Sequence, residues 1–305
     1  MNTLTLAHYY TVPEVQAMAD YVGDSLELAM IAKRENADRI VFAGVKFMAE
    51  TTKIINPEVQ VILPDESATC SLVTQTDFDQ LRLWRERYAD HVHVSYINSS
   101  AQHKVLSDWI VTSRNVDDII AALYAEGKKV IFSPDRNMGA YLNYQYGYNM
   151  PVWNAVCEVH DKFKEEQILY MLENTSNGKL IAHPESPLPV LKRADFVGST
   201  KQMLDWVKQV NDSTATIYVA TEEGLLHNME QLRPDLNIQQ APIYSGCQCN
   251  ACPYMKRNTV ELVKQAQQGK GFEIDYLDNQ TIESATKPIE KMLNFGVDTV
   301  FDKVG

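Results

Sequence analysis

Ala19-Asp20-Tyr21-Val22-Gly23-Asp24-Ser25 returns as Ser107-Asp108-Trp109-Ile110-Val111-Thr112-Ser113, and again as Ala194-Asp195-Phe196-Val197-Gly198-Ser199-Thr200. The copies lie 88 and 87 residues apart. Upstream, His8, Tyr96 and His183 keep the same two intervals. Cys70 and Cys157 are again 87 apart, with a third cysteine group further on at Cys247, Cys249 and Cys252. A period this long is too large for a solenoid repeat and suits a small domain. Each copy offers a polar residue early, a hydroxyl next and a thiol late. Three copies around a pseudo-threefold axis would bring three hydroxyls and three thiols together, and a site is expected there.

Composition narrows the classes. The 305 residues, 45% apolar and 22% charged, describe a globular chain able to bury a large core. A net charge of −12 and a pI near 5.1 argue against nucleic acid or an anionic membrane as partner. Anionic substrates would therefore need positive potential from helix N-termini, histidines or a metal. No 18-residue apolar run marks a membrane span, and Met1 to Tyr10 lack the marks of a signal peptide. A reducing cytoplasm is the expected compartment, where five cysteines are more often metal ligands or nucleophiles than disulfides.

Short apolar runs alternate with helical patterns along the whole chain. Thr3–Ala7, Arg39–Ala43 and Val59–Leu63 read as buried strands, with helices at Val12–Tyr21, Ser25–Glu35 and Lys46–Ile55. The second copy repeats the plan with strands at His91–Tyr96 and Lys129–Ser133. The third has strands at Leu180–His183 and Thr216–Ala220 and a helix at Gly224–Leu232. This predicts an α/β fold of three homologous α/β/α sandwich domains with parallel sheets, near 1–88, 89–175 and 176–262. A tail, 263–305, carries a helix at Ile282–Leu293 expected to pack back on the first domain. In such sheets ligands sit at the carboxyl ends of strands, where His8, Tyr96 and His183 fall.

Three constellations carry chemistry. Cys70, Cys157 and the run Cys247-Gln248-Cys249-Asn250-Ala251-Cys252 lack the second C-x-x-C knuckle that zinc would need. One cysteine from each domain suits an iron–sulfur cubane with one iron left for substrate. The plain alternative makes Cys70 and Cys157 small buried hydrophobes, and the matched spacing weighs against it. Ser25, Ser113 and Thr200 stand at helix starts, each either an N-cap or, as a set, a cradle for phosphate and carboxylates. His8 with Tyr9-Tyr10, Tyr96 with Asn98, and His183-Pro184-Glu185 complete the ring, Glu185 being a candidate general base. His160, three residues after Cys157, reads equally as a group behind the ligands or as a surface residue.

Leu6-Ala7-His8-Tyr9-Tyr10, Val22-Gly23-Asp24-Ser25-Leu26-Glu27-Leu28, the stretch from Val41 to Thr51, His183-Pro184-Glu185 and Cys252-Pro253-Tyr254-Met255-Lys256 resemble the quinolinate synthase family, from about residue 4 to 294. The resemblance implies a 4Fe-4S cluster on Cys70, Cys157 and Cys252. It implies condensation of iminosuccinate with dihydroxyacetone phosphate to quinolinate, losing phosphate and two waters, in de novo NAD biosynthesis. Substrate contacts would fall on His8, Ser25, Tyr96, Asn98, Ser113, His183, Glu185 and Thr200. Tyr10, Glu185 and His8 would carry the proton transfers. Transient contact with L-aspartate oxidase, which supplies iminosuccinate, is an expectation of the same resemblance. Cys247 and Cys249 are left open between spare, redox-active and alternative-ligand roles, and Val297–Gly305 lies beyond the matching stretch. Two rivals are another cluster-dependent hydro-lyase and a non-catalytic cluster sensor.

Overall fold

The computed structural model describes residues 2–243 and 250–295; Cys247, Cys249 and Val297–Gly305 lie outside the described residues. The first sheet holds β1 (Thr3–His8), β2 (Tyr21–Gly23), β3 (Arg39–Ala43) and β4 (Gln60–Leu63). The second holds β5 (Val92–Tyr96), β6 (Trp109–Val111) and β7 (Val130–Ser133). The third holds β8 (Gly178–Ala182), β9 (Phe196–Val197), β10 (Thr216–Ala220) and β11 (Asn237–Gln240). The strand order repeats: β2-β1-β3-β4, β6-β5-β7 and β9-β8-β10-β11, every pair parallel. Beyond β7 a lone parallel bridge, Phe132 to Val152, stands where the other sheets have a fourth strand. The last strand, β12 (Phe272–Glu273), closes the first sheet antiparallel to β4.

Helices cover these parallel sheets, which is why their strands are unbroken apolar runs. Leu6, Ile40, Val94, Phe132, Leu180 and Ile217 are fully buried or nearly so. The fold is α/β, as the alternation of patterns implies.

The repeated heptapeptide shows what its conserved spacing does locally. Its aspartate grips the first strand at two points. Asp20 accepts the Thr5 N–H at 2.7 Å and donates its own N–H to the Thr5 carbonyl at 2.8 Å. Asp108 does the same to His93 (2.7 and 2.9 Å), and Asp195 to Leu180 (2.9 and 2.7 Å). The aromatic and aliphatic residues that follow become β2, β6 and β9. The sixth residue then caps the next turn. The Asp24 carboxylate takes the N–H groups of Leu26 and Glu27, and Glu27 returns a contact to the Asp24 N–H. Ser199 and Gln202 form the same box, and Asn115 accepts the Thr112 N–H at 2.8 Å.

Two expectations are corrected. The apolar spacing over Val12–Tyr21 is not one helix: the helix covers only Pro13–Gln16, and Tyr21 opens β2. The grip of Asp20 on Thr5 forces that switch, because Tyr21 must then pair with Leu6. The tail helix runs longer, Asn279–Asn294, and packs beyond the first sheet's helices. Thr286 reaches the Ile54 carbonyl, while Lys291 donates to the Asp108 carbonyl at 3.0 Å and Phe295 meets Trp109 edge-on. It therefore bridges two of the three sheets.

Because a carboxylate hydrogen bond of this kind contributes about 1–3 kcal/mol, Asp108→Ala should lower the urea midpoint measurably. Asp108→Asn keeps an acceptor for the His93 N–H and should lose less. Equal midpoints for wild type and Asp108→Ala would show that water satisfies His93 as well as the carboxylate does.

Candidate active site and metal centre

The carboxyl ends of β1, β5 and β8 open into one chamber, enclosing about 700 Å³ including its mouth. The residues expected to hold the cluster, bind substrate or move protons all line it: His8, Tyr10, Ser25 and Cys70 from the first third of the chain; Tyr96, Asn98, Ser113 and Cys157 from the second; His183, Glu185, Thr200 and Cys252 from the last. Since Asp24 and Ser199 do the capping, Ser25 and Thr200 are the first helical residues and not the caps. Their hydroxyls face the chamber's space instead of holding helix N–H groups.

The residues at the strand ends form matching pairs. His8 Nδ1 accepts the Tyr10 N–H at 3.1 Å, and His183 Nδ1 accepts the Glu185 N–H at 3.4 Å. With Nδ1 accepting, each neutral imidazole carries its proton on Nε2, and the His183 Nε2–H meets Ser113 Oγ at 3.2 Å. Burial pushes both histidines down to about 3, against the pull of Glu185. They are neutral donors at physiological pH.

Glu185 is the hub. It is 2% exposed. His160 Nδ1 lies 2.8 Å from its Oε2, His183 Nδ1 3.4 Å from the same oxygen, and Asn98 Nδ2 donates to Oε1 at 3.3 Å. Burial alone would raise this carboxyl, but its contacts with His160 and Tyr96 hold it below the usual range. On its other side His160 Nε2 lies 2.9 Å from Thr221 Oγ1, which lies 2.8 Å from the Tyr10 hydroxyl. His160 Nε2, Thr221 Oγ1 and the Tyr10 hydroxyl are thus hydrogen-bonded in series, and His160 Nδ1 also lies 3.2 Å from Cys157 Sγ. A continuous chain Tyr10–Thr221–His160–Glu185 results. Burial, despite the bond to Thr221, raises the Tyr10 phenol well above its ordinary value.

His160 is thus a buried member of the site, 1% exposed, and its surface reading falls. Thr221 was missed altogether. So were Asp135 and Glu222, two buried carboxylates 87 residues apart. Asp135 accepts the Cys157 N–H and Glu222 the Cys252 N–H, each at 2.9 Å. The repeat interval carried that signal. Lys256 pairs with Glu222 at 2.9 Å and donates to the Tyr10 carbonyl at 2.9 Å.

The donor set fits a metal. Cys70, Cys157 and Cys252 are free thiols on one chamber wall. Burial raises all three, Cys252 to about 11, with Cys252 opposing ionisation of Cys70 and Cys157, and Cys70 that of Cys157. Thiols kept protonated by burial and mutual repulsion are released by a soft cation that replaces the protons. Cys157, His160 and Glu185 also bring one ligand atom each within 4.8 Å. Among the described lining residues there is no lysine or arginine, so an anionic ligand meets hydroxyls, N–H groups and neutral imidazoles. No described helix is long and apolar enough to cross a membrane.

Carboxylate, imidazole, phenol and three thiols lining one chamber at the strand ends of parallel sheets give an α/β enzyme with a candidate metal site. The sequence profile of the family described as Quinolinate synthetase A protein matches residues 1–294. Quinolinate synthase of Nostoc punctiforme is 41% identical over 297 residues, 97% of this chain and 90% of that protein. The namesakes from Synechocystis sp. and Cyanophora paradoxa are 42% and 41% identical over 293 residues, 96% of this chain and 91% and 88% of theirs. The chain belongs to the quinolinate synthase family, a family of iron–sulfur enzymes of NAD biosynthesis.

Neutral burial of histidine has a cost in acid. His8 and His183 are held at about 3, and His93 and His103 at about 4, burial being the largest cause each time. Below about pH 6.5 the unfolded chain takes up protons that the folded chain refuses. The stability these residues contribute above that pH is therefore lost as pH falls. The urea midpoint should drop steadily from pH 7.5 to 5.5, and a flat profile would show that these imidazoles ionise within the fold.

Proposed function

We propose that this chain condenses iminosuccinate with dihydroxyacetone phosphate to quinolinate, losing phosphate and two waters, with a 4Fe-4S cluster held by Cys70, Cys157 and Cys252. The observation that carries the reading is that three half-buried thiols and the Tyr10–Thr221–His160–Glu185 chain line one chamber. When bound, such a cluster with one open iron supplies a Lewis acid that polarises substrate oxygen or nitrogen.

The chain's own residues do the rest. Ser25, Ser113 and Thr200, with the Nε2–H groups of His8 and His183, hold the carboxylates and phosphate. Tyr96 and Asn98 fix the substrate's polar backbone beside Glu185. Orienting two anions in one dry chamber makes their encounter effectively unimolecular. Glu185, kept ionised, takes protons during tautomerisation and imine formation. Tyr10 supplies a proton as water leaves, and Thr221, backed by His160, holds the Tyr10 hydroxyl in place. His8, neutral at its Nε2–H, serves by donating a hydrogen bond and not as an imidazolium acid. The same reading divides the chain at 1–88, 89–175 and 176–262, with 263–305 as a returning tail, and makes it a cytoplasmic enzyme that L-aspartate oxidase transiently meets.

Anaerobic purification followed by iron, sulfide and visible-absorption measurements, before and after adding quinolinate, tests the proposal. About four irons per chain and a spectrum altered by quinolinate are expected; absence of a cluster after reconstitution would overturn it. Cys70→Ala, Cys157→Ala and Cys252→Ala should each lose the cluster, and full retention in Cys252→Ala would refute the ligand assignment. Glu185→Gln should keep the cluster and slow turnover by roughly 10²–10⁴. Thr221→Val breaks the chain between Tyr10 and His160 and should likewise lower kcat with iron content unchanged.

A further inference from the structure

Among the described residues Lys104 is the one fully buried lysine, on the short helix Ala101–Val105. It has no place in the chemistry proposed above. Its ammonium donates to the Ile97 carbonyl at 2.9 Å and to the Ser99 carbonyl, and lies 5.4 Å from the centre of the Phe47 ring. Phe47 is itself a wall of the chamber. The Glu50 carboxylate acts on Lys104 through space but spends its bonds elsewhere, on the Ala101 N–H at 2.8 Å and the Tyr276 hydroxyl at 2.6 Å. An ammonium stays buried only where fixed acceptors replace its water. Here those acceptors are the two carbonyls flanking Asn98.

Asn98 sits on the turn that leaves β5. The turn's other ties are the Ile97 N–H to the Val111 carbonyl at 2.8 Å, the Ser99 N–H to the Ile97 carbonyl at 2.8 Å and Ser99 Oγ to the Tyr96 carbonyl at 2.9 Å. Its Nδ2 donates to Glu185, whereas its Oδ1 is buried and has no partner. An unpaired buried amide oxygen is costly, and a ligand N–H or O–H would satisfy it.

We propose that Lys104 is a positioning residue for substrate: by holding the carbonyls of Ile97 and Ser99 it fixes Asn98 opposite Glu185, with Asn98 Oδ1 aimed at a donor on the ligand. The inference rests on the reading of Asn98 as a substrate contact. Lys104 touches no substrate and transfers no proton. It sets the geometry of a residue that does.

The test is a double-mutant cycle on the anaerobic, cluster-loaded enzyme with Lys104→Met, Asn98→Ala and the pair, reading KM for iminosuccinate, kcat, and quinolinate affinity by calorimetry. Lys104→Met should raise KM and weaken quinolinate roughly tenfold or more, with kcat changed less than about threefold and iron content unchanged. In the Asn98→Ala background the same substitution should add less than about twofold. Lys104→Gln, which returns one N–H donor, should recover part of the affinity, and it carries the cycle if Lys104→Met does not fold. Wild-type KM in Lys104→Met, or an undiminished penalty in the Asn98→Ala background, would overturn the positioning role. Wild-type affinity in Asn98→Ala would instead remove the substrate contact on which the inference stands.

Discussion

One aspartate in each third of the chain grips a single residue of the neighbouring strand through both its carboxylate and its N–H, and the chamber depends on that grip. A strand that slipped by one residue would turn every side chain to the opposite face. With register fixed at Thr5, His93 and Leu180, the chain must leave the second strand at the same height in all three sheets. In the first and third copies a cap follows, Asp24 or Ser199, and then a hydroxyl freed from capping. In the second, Ser113 stands not at a helix start, as its spacing implies, but in the turn before the helix Val116–Ala125, whose N-cap is Asn115. The three hydroxyls reach the chamber because backbone hydrogen bonding has already been satisfied by their neighbours.

The chamber's electrostatics follow from what is absent from its described lining. With no lysine or arginine there, and with His8 and His183 held neutral, fixed positive charge is lacking where dianionic ligands would sit. Asp24, Glu185 and Glu222 add negative charge, and burial pushes Asp24 up to about 6 and Glu222 upward as well. Such a cavity holds anions through oriented O–H and N–H dipoles and through whatever cation its thiols take up. The neighbouring cations, Lys256 and Lys104, are engaged with backbone carbonyls and shape the walls from behind.

Much of this was legible in the spacing. The intervals of 88 and 87 residues located the strand-end trio, the hydroxyls and two of the thiols, and all proved to share one space. The parallel α/β class followed from the density of apolar runs. What failed was local: Val12–Tyr21 has helical spacing, and only a long-range contact to Thr5 shows that Tyr21 belongs to a strand. Thr221 gave no local sign, because its meaning lies in bonds to residues 211 and 61 positions away. Asp135 and Glu222 did carry the interval, but different acidic side chains after dissimilar turns hid the likeness. Lys104 reads as a surface residue on a polar helix until the carbonyls beside Asn98 are seen to close over it.

Gly224 marks how little slack the seam between the first and third sheets contains. A β-carbon there would lie 2.8 Å from a Glu222 oxygen, 2.9 Å from the Tyr9 carbonyl and 3.0 Å from Tyr10 Cα. Backbone, not side chain, thus sets the distance between Tyr10 and the Thr221 that bonds it. Side chains such as Phe47 and Met48 can be exchanged to reshape the lining, but Tyr10 and Thr221 are parted only by moving main chain, and that would break the bonded chain at its Tyr10 end.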